Sequence, residues 1–391
     1  MRIAIVSGDD IVGDDPAELA AALAARGHEV TSFVRQNRRR PAGICGHCEV
    51  SMSVGPRSAE SALDVLPYVG DWARALTAEW SAEAPHVVHA YGWLGGLAAQ
   101  LAARRREIPT VQSFLGLAET CGARPGGDAT QEGERLRVER LLARSATWVT
   151  GESSDDVDAL SRVRRSRAHV SALTSGVDVE RFNSCGPALA RTDLRRILCL
   201  APNPMPCNGF DTVIRALPRV PGTELVLAET EASNREHDEA RARLQLLAAG
   251  SGVSDRVQYA GTVCGEELPM LLRSADVVVC TPREPPRATA VLQAMASGVA
   301  VVAYGGGVLR DAVVDNVTGL VLPPETPSRL SITLRSLLAQ RFQCESMGSA
   351  GRSRALSRYA WDRIALDCLN IYQRAGSPSW LPQRLQSSGV R

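Results

Sequence analysis

Two α/β domains, each built on a parallel sheet, are what this sequence predicts, and three observations carry the prediction. Strand-like and helix-like patterns alternate along the chain, as they do in βαβ units. The stretch 275–303 shows one such step complete: an apolar run Val277-Val278-Val279-Cys280, a Pro-rich loop, a short helix closed by Gly298 and a second apolar run to Ala303. At 391 residues the chain exceeds one ordinary core, and the alternation restarts at Arg196 after a Gly- and Pro-containing stretch without a period.

In the first half the patterns predict a strand over residues 2–6, then a helix over 17–26 with Pro16 at its start and Gly27 past its end, the usual asymmetry of helix termini. A strand over 29–34 and a helix over 70–81 follow, the latter with Trp72, Leu76 and Trp80 at helical spacing, a stripe that reads as core. Next come a strand over 86–90, a Gly-rich turn, a helix over 97–105 and a strand over 110–114. The polar, Gly-rich residues 118–133 read as a mobile loop. A helix over 133–146, a strand over 147–150 and a helix over 155–162 complete this half. The second half reads as strands over 196–200, 224–228, 257–260, 276–280 and 299–303, with helices over 210–217, 238–249, 265–273 and 328–339. The expected division is a first domain over 1–185, a linker over 186–195, a second domain over 196–360, a helix over 361–375 crossing back to the first, and a disordered Pro/Ser/Arg tail over 376–391.

Composition narrows the class of protein. With 45% hydrophobic and 22% charged residues the chain reads as a soluble globular protein, and a net charge of +1 gives no global field for nucleic acid or an acidic membrane. Every basic residue is arginine, so Schiff-base chemistry and phosphate-binding lysines are excluded. No apolar run is long enough for a signal peptide or a membrane span, which points to the cytoplasm, with peripheral attachment at the inner face of the membrane left open. Cys45 and Cys48 have the spacing of a redox pair or half a zinc site, but no second Cys-x-x-Cys completes one, and incidental surface cysteines are expected. No metal or cofactor is expected.

Six local patterns occur in order: Leu23-Ala24-Ala25-Arg26-Gly27-His28-Glu29-Val30, Pro85-His86-Val87-Val88-His89-Ala90, Ser175-Gly176-Val177-Asp178 with Arg181-Phe182, Gly209-Phe210-Asp211, Leu271-Leu272-Arg273-Ser274-Ala275-Asp276-Val277, and Asp315-Asn316-Val317-Thr318-Gly319. Together they resemble the retaining nucleotide-sugar glycosyltransferases of family 4. The resemblance implies the GT-B fold, two Rossmann-like doubly wound domains facing across a cleft. It also implies a nucleotide-sugar donor against the second domain, a hydroxyl acceptor against the first, and no metal. In that family an arginine and a lysine in the turn before a Gly neutralise the diphosphate, two glutamates seven residues apart bind the donor, and a histidine of the first domain lies beside the sugar.

Carried over by register, these positions are occupied here by other residues. Counting back from Gly209, Asn208 stands at the lysine and Asn203 at the arginine; Ala294-Met295-Ala296-x-Gly298 puts Gln293 at the second glutamate and Pro285 at the first; Leu115 stands at the histidine. Glu284 is one residue from the first glutamate position, and Arg283 and Arg287 flank it, so a rewired donor site has candidate groups. The loop after the first strand carries Asp9, Asp10, Asp14 and Asp15; either of the last two can cap the following helix, and phosphate binding there is disfavoured. His89 either ends a strand at the cleft, within reach of an acceptor, or is a satisfied buried histidine; Glu229 and Glu231 either bind ribose or are solvated. The expected function is sugar transfer from a nucleotide donor to a hydroxyl acceptor. The alternative is a non-catalytic GT-B protein that binds an active glycosyltransferase or a saccharide.

Overall fold

The computed structural model describes residues 1–8, 13–35, 47–56, 59, 61–121, 129–284, 287–323 and 327–376; Pro285, Cys45 and the tail lie outside these. Two parallel sheets make up the fold. The first holds β1 (Arg2–Ser7), β2 (Glu29–Arg35), β3 (Cys48–Met52), β4 (Val87–Tyr91), β5 (Thr110–Phe114), β6 (Trp148–Gly151) and β7 (Val170–Ala172), in the order β3-β2-β1-β4-β5-β6-β7. The second holds β8 (Arg195–Ala201), β9 (Thr223–Glu229), β10 (Val257–Thr262), β11 (Val277–Cys280), β12 (Ala300–Tyr304) and β13 (Gly319–Leu322), in the order β10-β9-β8-β11-β12-β13. Helices cover both faces of each, so β4, β5, β11 and β12 are buried at every position. In β11 and β12 that double cover shows as unbroken apolar runs, whereas β4 and β5 carry the buried polar residues His89, Gln112 and Ser113.

In each sheet the strand order reverses beside the first strand, between β1 and β4 and between β8 and β11. Loops leaving the carboxyl ends of those strands diverge there and open a crevice. The sequence pattern located these strands because their signal is local. It missed β3, β7 and β13, which are short edge strands with exposed or half-buried residues. It also missed the helix Arg341–Arg354, whose buried positions include Gly348 and Gly351. A Cβ at Gly348 would stand 2.0 Å from the carbonyl oxygen of Gly298. A helix chosen for close approach uses small residues and shows no apolar stripe. Residues 118–133 are not loop throughout: Ala118–Cys121 is helical and a long helix starts at Ala129. Trp72, Leu76 and Trp80 are core residues of the first unit, as their spacing predicts.

The helix Trp361–Ala375 packs its stripe Ile364, Cys368, Ile371, Tyr372 and Ala375 against β1 and the helix Asp15–Ala25. Trp361 closes over Gly176, where a Cβ would lie 2.4 Å from the indole. Tyr372 Oη meets His89 Nδ1 at 2.6 Å, and the other ring nitrogen, Nε2, meets Ser113 Oγ at 2.7 Å. His89 is fully buried and burial pushes its pKa down to about 3, so it is a neutral structural clasp and not an acceptor contact. Tyr372→Phe should cost about 1–3 kcal/mol, because it strands a buried ring nitrogen. Urea unfolding with an unchanged slope and a lower midpoint is the expected record.

Candidate functional site

The second-domain wall of the cleft is built from the turn after β8 and the loop after β11. Gly209 sits at φ +79°, and a Cβ there would fall 1.8 Å from the carbonyl oxygen of Thr281. Thr281 Oγ1 donates to the Gly209 carbonyl at 2.9 Å and the Arg283 amide donates to the Cys207 carbonyl at 2.8 Å. Only glycine permits this contact. Within the turn Asn208 Nδ2 donates to Asn203 Oδ1 at 2.7 Å and to its carbonyl at 2.9 Å, while Asn203 Nδ2 donates to Glu231 at 2.8 Å. Asn203, Asn208, Gly209 and Arg283 are thus one hydrogen-bonded unit.

Arg283, Glu229 and Glu231 on this wall all have partners. Arg283 reaches Asp211 at 2.5 Å. Glu229, a candidate ribose ligand, is buried and held by Arg241 through two bonds of 2.7 and 2.6 Å, so it is neither solvated nor open to a ligand. Glu231 is half-buried and accepts from Asn203. The Glu284 carboxylate has no hydrogen bond or ion pair among the described residues. Gln293 is half-buried on the helix Thr289–Ala296 and its Oε1 is enclosed without a partner among the described residues. Leu115 packs into the apolar layer under the terminal helix.

Across the cleft, Arg287 enters the carboxyl end of the first sheet. Its Nη2 donates to Asp15 and, at 2.6 Å, to Ser175 Oγ, and it lies 3.6 Å from Glu152. Ser175 Oγ is itself 2.6 Å from Asp15 Oδ2 and 2.9 Å from Glu152 Oε1. Burial lifts the Glu152 carboxyl, with Arg287 opposing and Asp15 adding to the rise, and its pKa settles at about 7. Tyr91, at the end of β4, feels the same charges and its phenol is held protonated by burial. Asp15 therefore does not cap its helix; it is the first residue of Asp15–Ala25 and turns to Arg287, and Asp14 makes no side-chain cap.

A second contact joins the two halves. The amide and hydroxyl of Ser154, at the start of the helix Ser154–Arg164, donate to Asp311 at 2.6 and 2.9 Å, and Arg310 meets Asp155 at 2.8 Å. Between these contacts lies a cavity of about 870 Å³ bounded by Gly116, Glu152 and Asp155 on one side and by Gly307 and Val308 on the other. Gly307 has φ +50°, which starts the helix Val308–Ala312 at the cavity wall.

Comparison with known proteins identifies the family and the fold. The family described as "Glycosyl transferase 4-like domain" matches residues 13–176 and "Glycosyl transferases group 1" matches residues 196–354. A D-inositol 3-phosphate glycosyltransferase of Xylanimonas cellulosilytica is 30% identical over 380 residues, covering 92% of this chain and 90% of that one. The chain belongs to the group 1 glycosyltransferases. Among solved structures, sucrose-phosphate synthase from Thermosynechococcus elongatus superposes with a TM-score of 0.80 at 22% identity, covering 95% of this chain and 98% of that one. The UDP-glucose complex of Anabaena Alr3699/HepE gives 0.72 at 16% identity, covering 96% and 100%. The fold of this glycosyltransferase is GT-B, and no described helix is long and apolar enough to cross a membrane.

Sequence reasoning had not assigned Glu152, Asp311 or the hydroxyl of Ser175 to this glycosyltransferase cleft. A signal for Glu152 exists: a carboxylate immediately after the strand Trp148-Val149-Thr150-Gly151 stands at the carboxyl end of a parallel strand. Asp311 has no such signal, since its partner Ser154 is 157 positions away.

Proposed function

We propose that this chain transfers a sugar, with retention, from a nucleotide-sugar donor on the second domain to a hydroxyl acceptor on the first. The observation that carries the reading is Arg287, which spans the cleft from the loop after β11 to Asp15, Ser175 and Glu152. As the sugar leaves, negative charge grows on the diphosphate and a preorganised cation lowers the barrier. Arg287 and Arg283 are the cations of that loop. A diphosphate that displaces Asp15 from Arg287 also frees Asp15 and Glu152 to accept a hydrogen bond from the acceptor hydroxyl. Glu284, without a partner among the described residues, is available to sugar hydroxyls.

A second reading has a specific observation behind it. If the family register holds, neutral Asn203 and Asn208 replace the two cations of the donor turn, and both satisfy each other and Glu231. Pro285 and Gln293 then replace the glutamates and Leu115 the histidine. Such a protein keeps the cleft for a saccharide, or for contact with an active glycosyltransferase.

Calorimetry and turnover with UDP-, GDP- and ADP-sugars separate the two readings, with D-inositol 3-phosphate, from the relative's name, in the acceptor panel. Saturable donor binding with turnover supports transfer; no binding of any nucleotide sinks it. Asn203→Arg with Asn208→Lys is expected to tighten nucleotide binding by about 1.5–3 kcal/mol per restored charged hydrogen bond. Unchanged affinity in that variant means that the turn does not face the diphosphate.

A further inference from the structure

A second cavity, of about 450 Å³, opens at the C-terminal end of the helix Ser154–Arg164. Arg144, Arg164, Arg165 and His169 line it, and no lining residue carries a carboxylate. Arginines gather at helix C-termini to meet carbonyls, so the charges spent in that way must be subtracted first. Arg164 is spent: its Nη1 donates to the carbonyls of Ala143 at 2.7 Å and Ala146 at 2.9 Å. Arg144 reaches the Val163 carbonyl through Nε at 3.4 Å, which leaves the rest of its guanidinium. Arg165 is exposed and has no side-chain hydrogen bond or ion pair among the described residues.

Two further features mark the place. His169 lies edge-on to Trp148 at 5.0 Å while Arg374 stands over the same ring at 5.1 Å. Burial foremost, and then the nearby charges of Arg164 and Arg374, hold the His169 imidazole below its ordinary pKa. Arg165 ends the helix in the left-handed conformation at φ 56°, and His169 sits at φ 61°.

We propose that this cavity binds a phosphate-class anion. Two guanidinium groups, an imidazole that protonates as the anion arrives, and the Ser166 hydroxyl supply charge-assisted donors. Ser166 Oγ already accepts from the Ala168 amide at 3.0 Å, so its proton is directed elsewhere. Ser166 also lines the cavity at the cleft, which makes the two spaces neighbours along one helix of 11 residues. At about 1.5 Å per residue the helix sets roughly 16 Å between their ends. On the transferase reading, the site holds the anionic far end of an extended acceptor whose hydroxyl end lies in the cleft. Anion binding itself does not depend on that reading.

The test follows His169 by NMR while inorganic pyrophosphate is titrated into the full chain. A saturable shift and a raised His169 pKa are expected, with binding at least about tenfold weaker in Arg144→Gln/Arg165→Gln. Arg164 is left in place because it holds two helix carbonyls, and an unchanged melting temperature shows that the double variant is folded. Arg287→Gln, at the cleft, should leave the His169 titration as it is. Capture by phosphatidylglycerol vesicles but not phosphatidylcholine vesicles, reversed by pyrophosphate, assigns the anion to a lipid headgroup. Pyrophosphate binding without vesicle capture assigns it to a soluble phosphate ester. A flat His169 titration, or equal affinity in the double variant, overturns the site.

Discussion

Arg287→Ala is expected to slow sugar transfer by about 10²–10³-fold, the loss usual when one preorganised donor to developing charge is removed. Arg287→Lys should recover part of this, because a lysine restores the charge without the planar fork that serves Asp15 and Ser175 together. Arg287→Ala also changes stability in a pH-dependent way. Glu152 has its folded pKa raised from the ordinary carboxyl value to about 7, so its contribution is fully present below the unfolded value and is lost as pH rises through about 7. Arg287 holds that pKa down, and its removal lifts it further. Below neutrality Glu152 is protonated in both proteins and contributes equally; above neutrality the variant keeps a proton that wild type has released. The deficit of the variant should therefore widen as pH rises past 7, as unfolding curves on either side of neutrality would record. Unaltered turnover would mean that Arg287 serves closure of the cleft alone.

Gly209→Ala should destabilise the second domain by about 2–5 kcal/mol, since a left-handed backbone costs an alanine about 1–2 kcal/mol and overpacking adds about 1–3. The new Cβ would stand 1.8 Å from the Thr281 carbonyl oxygen and 2.6 Å from its carbon, both backbone atoms, so no side-chain rotation relieves the contact. Relief requires the turn carrying Asn203 and Asn208 to part from the loop carrying Arg283, which breaks the bonds from Thr281 and Arg283. Donor binding should be lost together with stability. Gly306→Ala is the control, because a Cβ there meets nothing within 4 Å. A wild-type urea midpoint for Gly209→Ala would show that the turn and the loop are not in contact in solution.

These predictions rest on features of unequal visibility in the sequence. Gly209 was legible as the glycine that closes a turn before a helix, but its need for close approach came from Thr281, 72 residues on. Arg287 was legible as a cation near the donor loop. Its partners were not, because Asp15 read as a helix cap and Ser175 only as part of one of the local patterns that carry the family resemblance. The first is 272 positions from Arg287 and the second 112. His89 read as a satisfied histidine ahead of a cleft group, and the terminal helix supplies its partner through Tyr372, 283 positions away. Sequence spacing carries information over one or two turns of helix or a few residues of strand, and none of these pairings is so short.

By itself the sequence determined the two parallel sheets, the position of most central strands and helices, and membership of the GT-B glycosyltransferases. Each of these follows from patterns within a single element or from the order of such patterns. The tertiary structure alone decided which charges share the cleft: Asp15, Glu152 and Ser175 against Arg287, and Ser154 against Asp311. The physical reason is the parallel sheet, whose crossovers bring the carboxyl ends of strands distant in sequence to one edge, while the side chains that meet there belong to loops with no period to read.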